Sequence, residues 1–155
     1  MKKPHPELLK FLKFCKLMVI ATVDHESTPW VCNVYYSVTN DFKLFFVSPT
    51  DTLHSKHIAQ NSRVAFSIPW FDEKNLDNRK AIQGIGVCTR VTNWIEAARF
   101  LRNHYSYYPL WKKVITTAAM RKKLIESRPY IIKPEYMKFW NDELFGDEGI
   151  EEYTF

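Results

Sequence analysis

The sequence predicts a mainly β domain with short helices (α+β), in which six antiparallel strands close into a small closed or split β-barrel. Three observations predict it. Short apolar or alternating runs of strand length recur from residue 17 to residue 140. Turn-type residues join the early runs, so sequence neighbours pair antiparallel. The helical patterns between them are few and short. At 155 residues, 46% of them hydrophobic, the chain can build one real core. No repeat, low-complexity stretch or boundary divides it, so residues 1–155 read as a single domain.

The first pattern, residues 6–16, is an amphipathic helix. Leu8, Leu9, Phe11, Leu12 and Cys15 share a face opposite Lys10, Lys13 and Lys16. Eleven residues are too few for a membrane anchor, so we expect a plug over an open sheet end. Leu17 to Val23 is apolar on both faces and reads as a buried strand. Residues 24–29 are a turn-rich connection. Trp30 to Val38 alternates: Trp30, Cys32, Val34 and Tyr36 should face the core. Val31, Asn33, Tyr35 and Ser37 should form a mixed polar and aromatic wall, suited to a flat polar ring. Thr39, Asn40 and Asp41 make a hairpin turn into the third strand, which begins at Leu44.

Residues 44–68 read as strand, short helix, strand. Pro49 stops the apolar run Leu44 to Val47. Thr50, Asp51 and Thr52 are N-cap types, and Leu53 to Gln60 can wind as helix. Val64, Phe66 and Ile68 then alternate with Ala65 and Ser67. Ser48, Thr50, Thr52, Ser55 and Lys56 gather at the helix start. Hydroxyls, free backbone N–H groups and one cation suit a phosphomonoester. A simple capped helix with solvated polar residues explains the same pattern.

Pro69 to Lys80 is a polar loop and Ala81 to Val91 the fifth strand. Gln83-Gly84-Ile85-Gly86 within it is no dinucleotide fingerprint, because no helix follows. Glycines there mark a bulge or a close approach to the backbone. Asn93 and Glu96 open a helix. The cluster Tyr105, Tyr107, Tyr108, Pro109 and Trp111 interrupts it. A second, basic helix is expected over residues 110–126, and a last strand, bent near Pro134, over 130–140.

Net charge is +5, from 22 basic and 17 acidic residues, and six of the acids follow Asn141. We read most of these charges as solvated surface, and the acidic tail as a counterweight that docks through Tyr153 and Phe155. A basic barrel binding single-stranded nucleic acid ranks last, since no RNA-binding signature is present. Three spaced cysteines without a CxxC pair indicate neither zinc nor disulfides, and fit a reducing, cytoplasmic setting. The longest clean apolar run there, residues 17–21, cannot span a bilayer. His54 and His57 lie one turn apart but lack further ligands, so no metal site is read. No catalytic residue can be assigned. Tyr35 and His54 are candidates only as ring neighbours.

The order MVIATVD, WVCNVYYSV, FKLFFVSPTDTLHSKHIAQNSRVAFSI, IQGIG and IIKPEYMKFWNDELFG resembles the pyridoxamine 5'-phosphate oxidase-like, FMN-binding split-barrel superfamily. It looks closest to a branch of small, poorly characterised bacterial members with a W-x-x-N-x-x-Y second strand. The resemblance implies FMN at a homodimer interface. It implies that Lys56 binds the phosphate beside Thr50, Thr52 and Ser55, Ser55 standing where many members have arginine. It places Asn33, Val34 and Tyr35 along the flavin ring, with Val47 and Ser48 beside ring and ribityl chain. Gln83 and Gly84 would lie on the strand approaching the cofactor, and Trp140 would reach it from the second subunit. The pyridoxamine phosphate oxidases carry an arginine- and histidine-containing motif after that tryptophan. Here the stretch is NDELFGDEG, so a vitamin-B6 substrate is not expected. The implied function is a flavin-dependent oxidoreductase of unknown small-molecule substrate. The alternative is a flavin carrier or sensor without turnover.

Overall fold

The computed structural model describes residues 4–75, 78–123, 125–146 and 149–155. Strands β1 (Leu17–Val23), β2 (Pro29–Val38), β3 (Leu44–Pro49), β4 (Arg63–Trp70), β5 (Lys80–Arg90), β6 (Ser127–Asn141) and β7 (Ile150–Thr154) form one antiparallel sheet in the order β3-β2-β1-β4-β5-β6-β7. A further β3–β6 pairing closes the first six strands into a barrel. The expected six-stranded barrel is therefore present, with a seventh strand added from the acidic tail.

Closure rests on β6. Its first half pairs with β3 from Ser127 to Ile132. Its second half, Tyr136 to Trp140, pairs with β7 on that same side, while β5 runs along the other edge. The strand changes partner around Pro134, where the β5–β6 register slips between Ile85 and Gly86. Proline lacks the ladder N–H, so a bulge is where a strand tolerates it. The two glycines of β5 serve this bend. A Cβ on Gly86 would lie 2.4 Å from the Lys133 carbonyl oxygen. One on Gly84 would lie 2.3 Å from the Phe66 ring and 2.8 Å from the Tyr136 carbonyl oxygen. What a Cβ at these glycines would meet is the chain itself.

Helix α1 (Pro6–Phe14) plugs one barrel end as expected, burying Leu8, Phe11 and Leu12. The Tyr36 hydroxyl donates to the Leu12 carbonyl at 2.7 Å and so fastens the plug. Helix α2 (Leu53–Gln60) lies between β3 and β4. The main core contains Met18, Ile20, Leu44, Phe46, Phe66, Ile82, Met137 and Phe139. A second apolar cluster lies on the outer face of β3. There Phe45 and Ile131 meet Ala97, Phe100 and Leu101 of α3 (Trp94–Tyr107), with Met120. Asn93 caps α3, accepting from the N–H groups of Ile95 and Glu96.

Three expectations need correction. The second long helix is replaced by a 3-10 turn, Pro109–Lys113, and a one-turn helix α4 (Thr117–Arg121). Pro109 starts a tight turn, β-branched Val114 to Thr117 disfavour a continuous helix, and Lys123 sits at φ 54°. Trp30 is exposed, not core, because the first residues of β2 are open on both sides. Ser37, expected on the outer wall, is fully buried, because α3 covers it and His104 Nδ1 lies 3.0 Å from its hydroxyl.

The tail docks as expected. Tyr153 is buried, and the Phe155 ring packs 5.2 Å from Phe42. A short helix α5 (Asp142–Phe145) carries Asp142 to Arg79 and Glu143 to Lys80. Two of the tail acids, Asp147 and Glu148, lie outside the described residues.

Two predictions follow from this packing. Gly84→Ala should destabilise the fold by about 1–3 kcal/mol in urea unfolding, the usual cost of forcing atoms into a filled core. A wild-type midpoint would mean that Phe66 moves freely. His104 is fully buried, its Nε2 has no hydrogen-bond partner among the described residues, and burial pushes its pKa down to about 4. The unfolded state then binds the proton first. Stability is fully present above about pH 6.5 and is lost as pH falls towards 4, by roughly 3 kcal/mol in total. The urea midpoint should drop between pH 7 and pH 5, and His104→Gln should flatten that drop. Identical slopes in both proteins would assign the effect elsewhere.

Candidate functional site

An open cleft of about 420 Å³ lies between α2 and the adjoining ends of β5 and β6. Thr50, Ser55, Lys56, Thr89, Arg90, Thr92 and Tyr130 line it, with Ile58 and Cys88 as apolar floor. It is brought together by register: Arg90 pairs with Tyr130, and Cys88 N–H donates to the Ser62 carbonyl at 2.8 Å, tying β5 to the end of α2.

The start of α2 is built from a hydroxyl network. Thr52 occupies the N-cap position, yet its side chain makes no capping bond. Its hydroxyl turns inward, 2.9 Å from both the Pro49 carbonyl and the Ser55 hydroxyl, and 3.2 Å from His54 Nε2. Ser48 lies 2.7 Å from the same His54 nitrogen. The first turn of α2 has no acid, and Asp51 is exposed outside it. Backbone N–H groups that a capping side chain would otherwise take are thus left for another acceptor. Burial and then the nearby His57 hold the His54 pKa down. A neutral imidazole suits its role as a strut between Ser48 and Thr52.

The sequence-predicted residues other than Trp140 fall into five groups. Thr50, Ser55 and Lys56 line the cleft together, and Lys56 is exposed. Thr52 and Ser48 support the cleft from behind. Val34 is buried in the core and can offer only backbone to a ligand, while Val47 is partly buried against the α3 cluster. Asn33 and Tyr35 are exposed on the outer face of β2, where the Tyr35 ring meets Tyr108 at 5.6 Å and Trp111 at 5.4 Å. Gln83 is exposed and Gly84 buried in mid-β5.

Trp140 is elsewhere. It pairs with Ala81 at the opposite end of β5 from Arg90. Nine strand steps of roughly 3.3 Å separate those positions, about 30 Å along the strand. One chain therefore does not bring Trp140 to Lys56. The sequence reading missed Arg90, Thr89 and Tyr130. Arg90 and Thr89 end a strand whose glycines drew attention, and only the pairing with β6 turns them towards α2.

The donor set fits a phosphomonoester. Two cations, the hydroxyls of Thr50, Ser55, Thr89, Thr92 and Tyr130, and an uncapped helix start meet at one open mouth. The cleft contains no histidine. The rings of His54 and His57 on α2 turn inward, to Ser48 and to Thr22 at 3.3 Å. Among the described residues no group of three or more His, Cys, Asp or Glu could hold a metal, and no helix is long and apolar enough to cross a membrane.

The same architecture occurs in solved structures. A heme-binding protein from Mycobacterium smegmatis superposes with a TM-score of 0.73 at 14% identity, over 99% of this chain and 60% of that one. The heme storage protein HutZ from Vibrio cholerae gives 0.60 at 17% identity, over 86% and 92% of the two chains. A putative pyridoxamine 5'-phosphate oxidase from Listeria innocua gives 0.64 at 13% identity, over 86% and 94%. This chain thus spans 60% of the Mycobacterium protein's length, and identities this low speak for the fold alone. No curated protein matches the sequence. The family model described as pyridoxamine 5'-phosphate oxidase matches residues 4–141, nearly the whole chain. The protein belongs to the pyridoxamine 5'-phosphate oxidase family.

Proposed function

We propose that this protein binds FMN as a homodimer and serves as a flavin-dependent oxidoreductase for a small molecule. The observation that carries the reading is the pairing of Lys56 with Arg90 in a hydroxyl-lined cleft at the start of α2. Such a seat matches the terminal phosphate of FMN. The sequence lacks the dinucleotide glycine pattern that would accompany FAD. Lys56 and Arg90 would neutralise the phosphate, and Thr50, Ser55 and the first N–H groups of α2 would fix its orientation. The flavin, when bound, supplies the redox chemistry; the protein supplies position and electrostatics.

The outer face of β2 supports the homodimer. Val31, Tyr35, Leu110 and Val114 are all more than half exposed. That is a great deal of apolar surface for one small chain to leave open to water. A two-fold pairing would cover it, and would let Trp140 of one subunit approach the flavin held by the other. Heme is the competing occupant, because two solved structures of this fold are described as heme proteins. No histidine is among the residues that line the cleft, which favours flavin over heme there.

The test is a paired titration of FMN and riboflavin into wild type, Lys56→Ala and Lys56→Ala/Arg90→Ala, with hemin as competitor. Because Arg90 also faces the phosphate, Lys56→Ala should weaken FMN only about tenfold, roughly 1.4 kcal/mol. The double variant should lose about a hundredfold or more. Riboflavin, which has no phosphate, should be nearly unaffected. Equal losses for both ligands would overturn the phosphate assignment, and preferential hemin binding would overturn the flavin reading. Bleaching of the bound flavin by NADPH or NADH would favour an oxidoreductase over a carrier.

A further inference from the structure

A second recess, of about 200 Å³, opens near the other end of β5, beside the end of β4. Trp70, Phe71, Asp72, Asn75, Asn78, Arg79, Lys80 and Trp140 line it, and Asp72 Oδ1 accepts from the Lys74 N–H at 3.0 Å. Its parts are held in a specific arrangement. The Arg79 guanidinium lies over the Trp140 ring, 4.7 Å from the centroid. One carboxylate orients both groups: Asp142 Oδ1 accepts from Trp140 Nε1 at 2.7 Å, and Oδ2 accepts from Arg79 Nε at 2.8 Å. The Asp142 side chain is only 13% exposed. The Arg79 and Trp140 donors hold its carboxyl below the usual range, so it stays charged and keeps both groups in place.

Only the Nε edge of Arg79 is used in this way. Arg79 remains more than half exposed, and among the described residues its terminal nitrogens have no hydrogen-bond partner. A guanidinium with one edge fixed and the rest free is a preorganised receptor for a planar oxyanion. The opposite polarity is also present. Asn78 Oδ1 is buried and, among the described residues, has no hydrogen-bond partner. A buried acceptor without a donor is costly unless something supplies one. Lys80 is engaged with Glu143 and lies over Trp70, 5.3 Å from its ring centroid, so it closes one wall and is no second anchor.

We infer that this recess binds a small flat molecule carrying a carboxylate with an N–H or O–H donor beside it, and that Arg79 is the anion anchor. Trp70, Phe71 and Trp140 supply apolar and aromatic walls for the ring, Arg79 takes the carboxylate, and Asn78 Oδ1 accepts from the neighbouring donor. Binding at the recess stands on its own geometry. That the bound molecule is the substrate of the flavin site rests on the function proposed above, with Trp140 brought to the partner's flavin.

The probes are anthranilate, benzoate and the uncharged benzamide, titrated calorimetrically into the full chain with and without FMN. Anthranilate should bind best, benzoate more weakly and benzamide least. Arg79→Gln should weaken anthranilate about tenfold or more, and Arg79→Lys should restore little, since a point charge cannot reproduce the guanidinium plane. Asn78→Leu should remove the advantage of anthranilate over benzoate. Lys56→Ala should change none of these values. Thermal midpoints near wild type in the Arg79→Lys and Asn78→Leu proteins exclude a folding artefact. Equal binding of benzamide and anthranilate, or indifference to Arg79, would overturn the assignment. If the probes bind and FMN does not, the flavin reading fails and the recess stands. If FMN binds and no probe does, the reverse holds.

Discussion

Closure of the barrel by β6 is the constraint on which the rest depends. A six-stranded sheet left open would expose the edges of β3 and β6, each a row of unpaired backbone groups. The 15-residue β6 satisfies β5 on one edge and divides the other between β3 and β7. That division requires a bend, and the bend requires Gly86 opposite Pro134. Gly84 then makes room for Phe66, which fills the space behind the curved pair.

The same strand determines where chemistry can occur. Its first half carries Tyr130 to the cleft beside Lys56 and Arg90. Its far end carries Trp140 to the recess beside Arg79. The two places sit at opposite ends of the β5–β6 pair, one cationic and rich in hydroxyls, the other aromatic and oriented by Asp142. In the homodimer proposed above, a two-fold axis would bring these unlike ends of two copies together, so that cofactor and substrate would meet at a shared site. The acidic tail contributes directly, because Asp142 and Glu143 are what hold Arg79 and Lys80 in place.

Much of the fold was legible because local signals agreed with it. The period-two runs of β2 and β4, the N-cap at Asn93 and the apolar stripe of α1 each state their own structure. Lys56, Thr50 and Ser55 were legible for the same reason, since they lie within one turn of a helix start. Arg90 and Arg79 were not. Their roles depend on strand register and on a carboxylate more than sixty residues away in sequence. The basic helix expected over 110–126 is not formed, because the β-branched run Val114 to Thr117 interrupts it. Ser37 was misplaced because alternation assigns a face and says nothing about whether a helix covers it.

The central claim is that two copies of this chain share two flavin mononucleotides. Native mass spectrometry of protein reconstituted with excess FMN tests it most directly. The account predicts a dimer that carries two FMN molecules, with FAD and hemin failing to displace them. A monomer that retains FMN tightly, or a dimer that takes up hemin or FAD in its place, would contradict it.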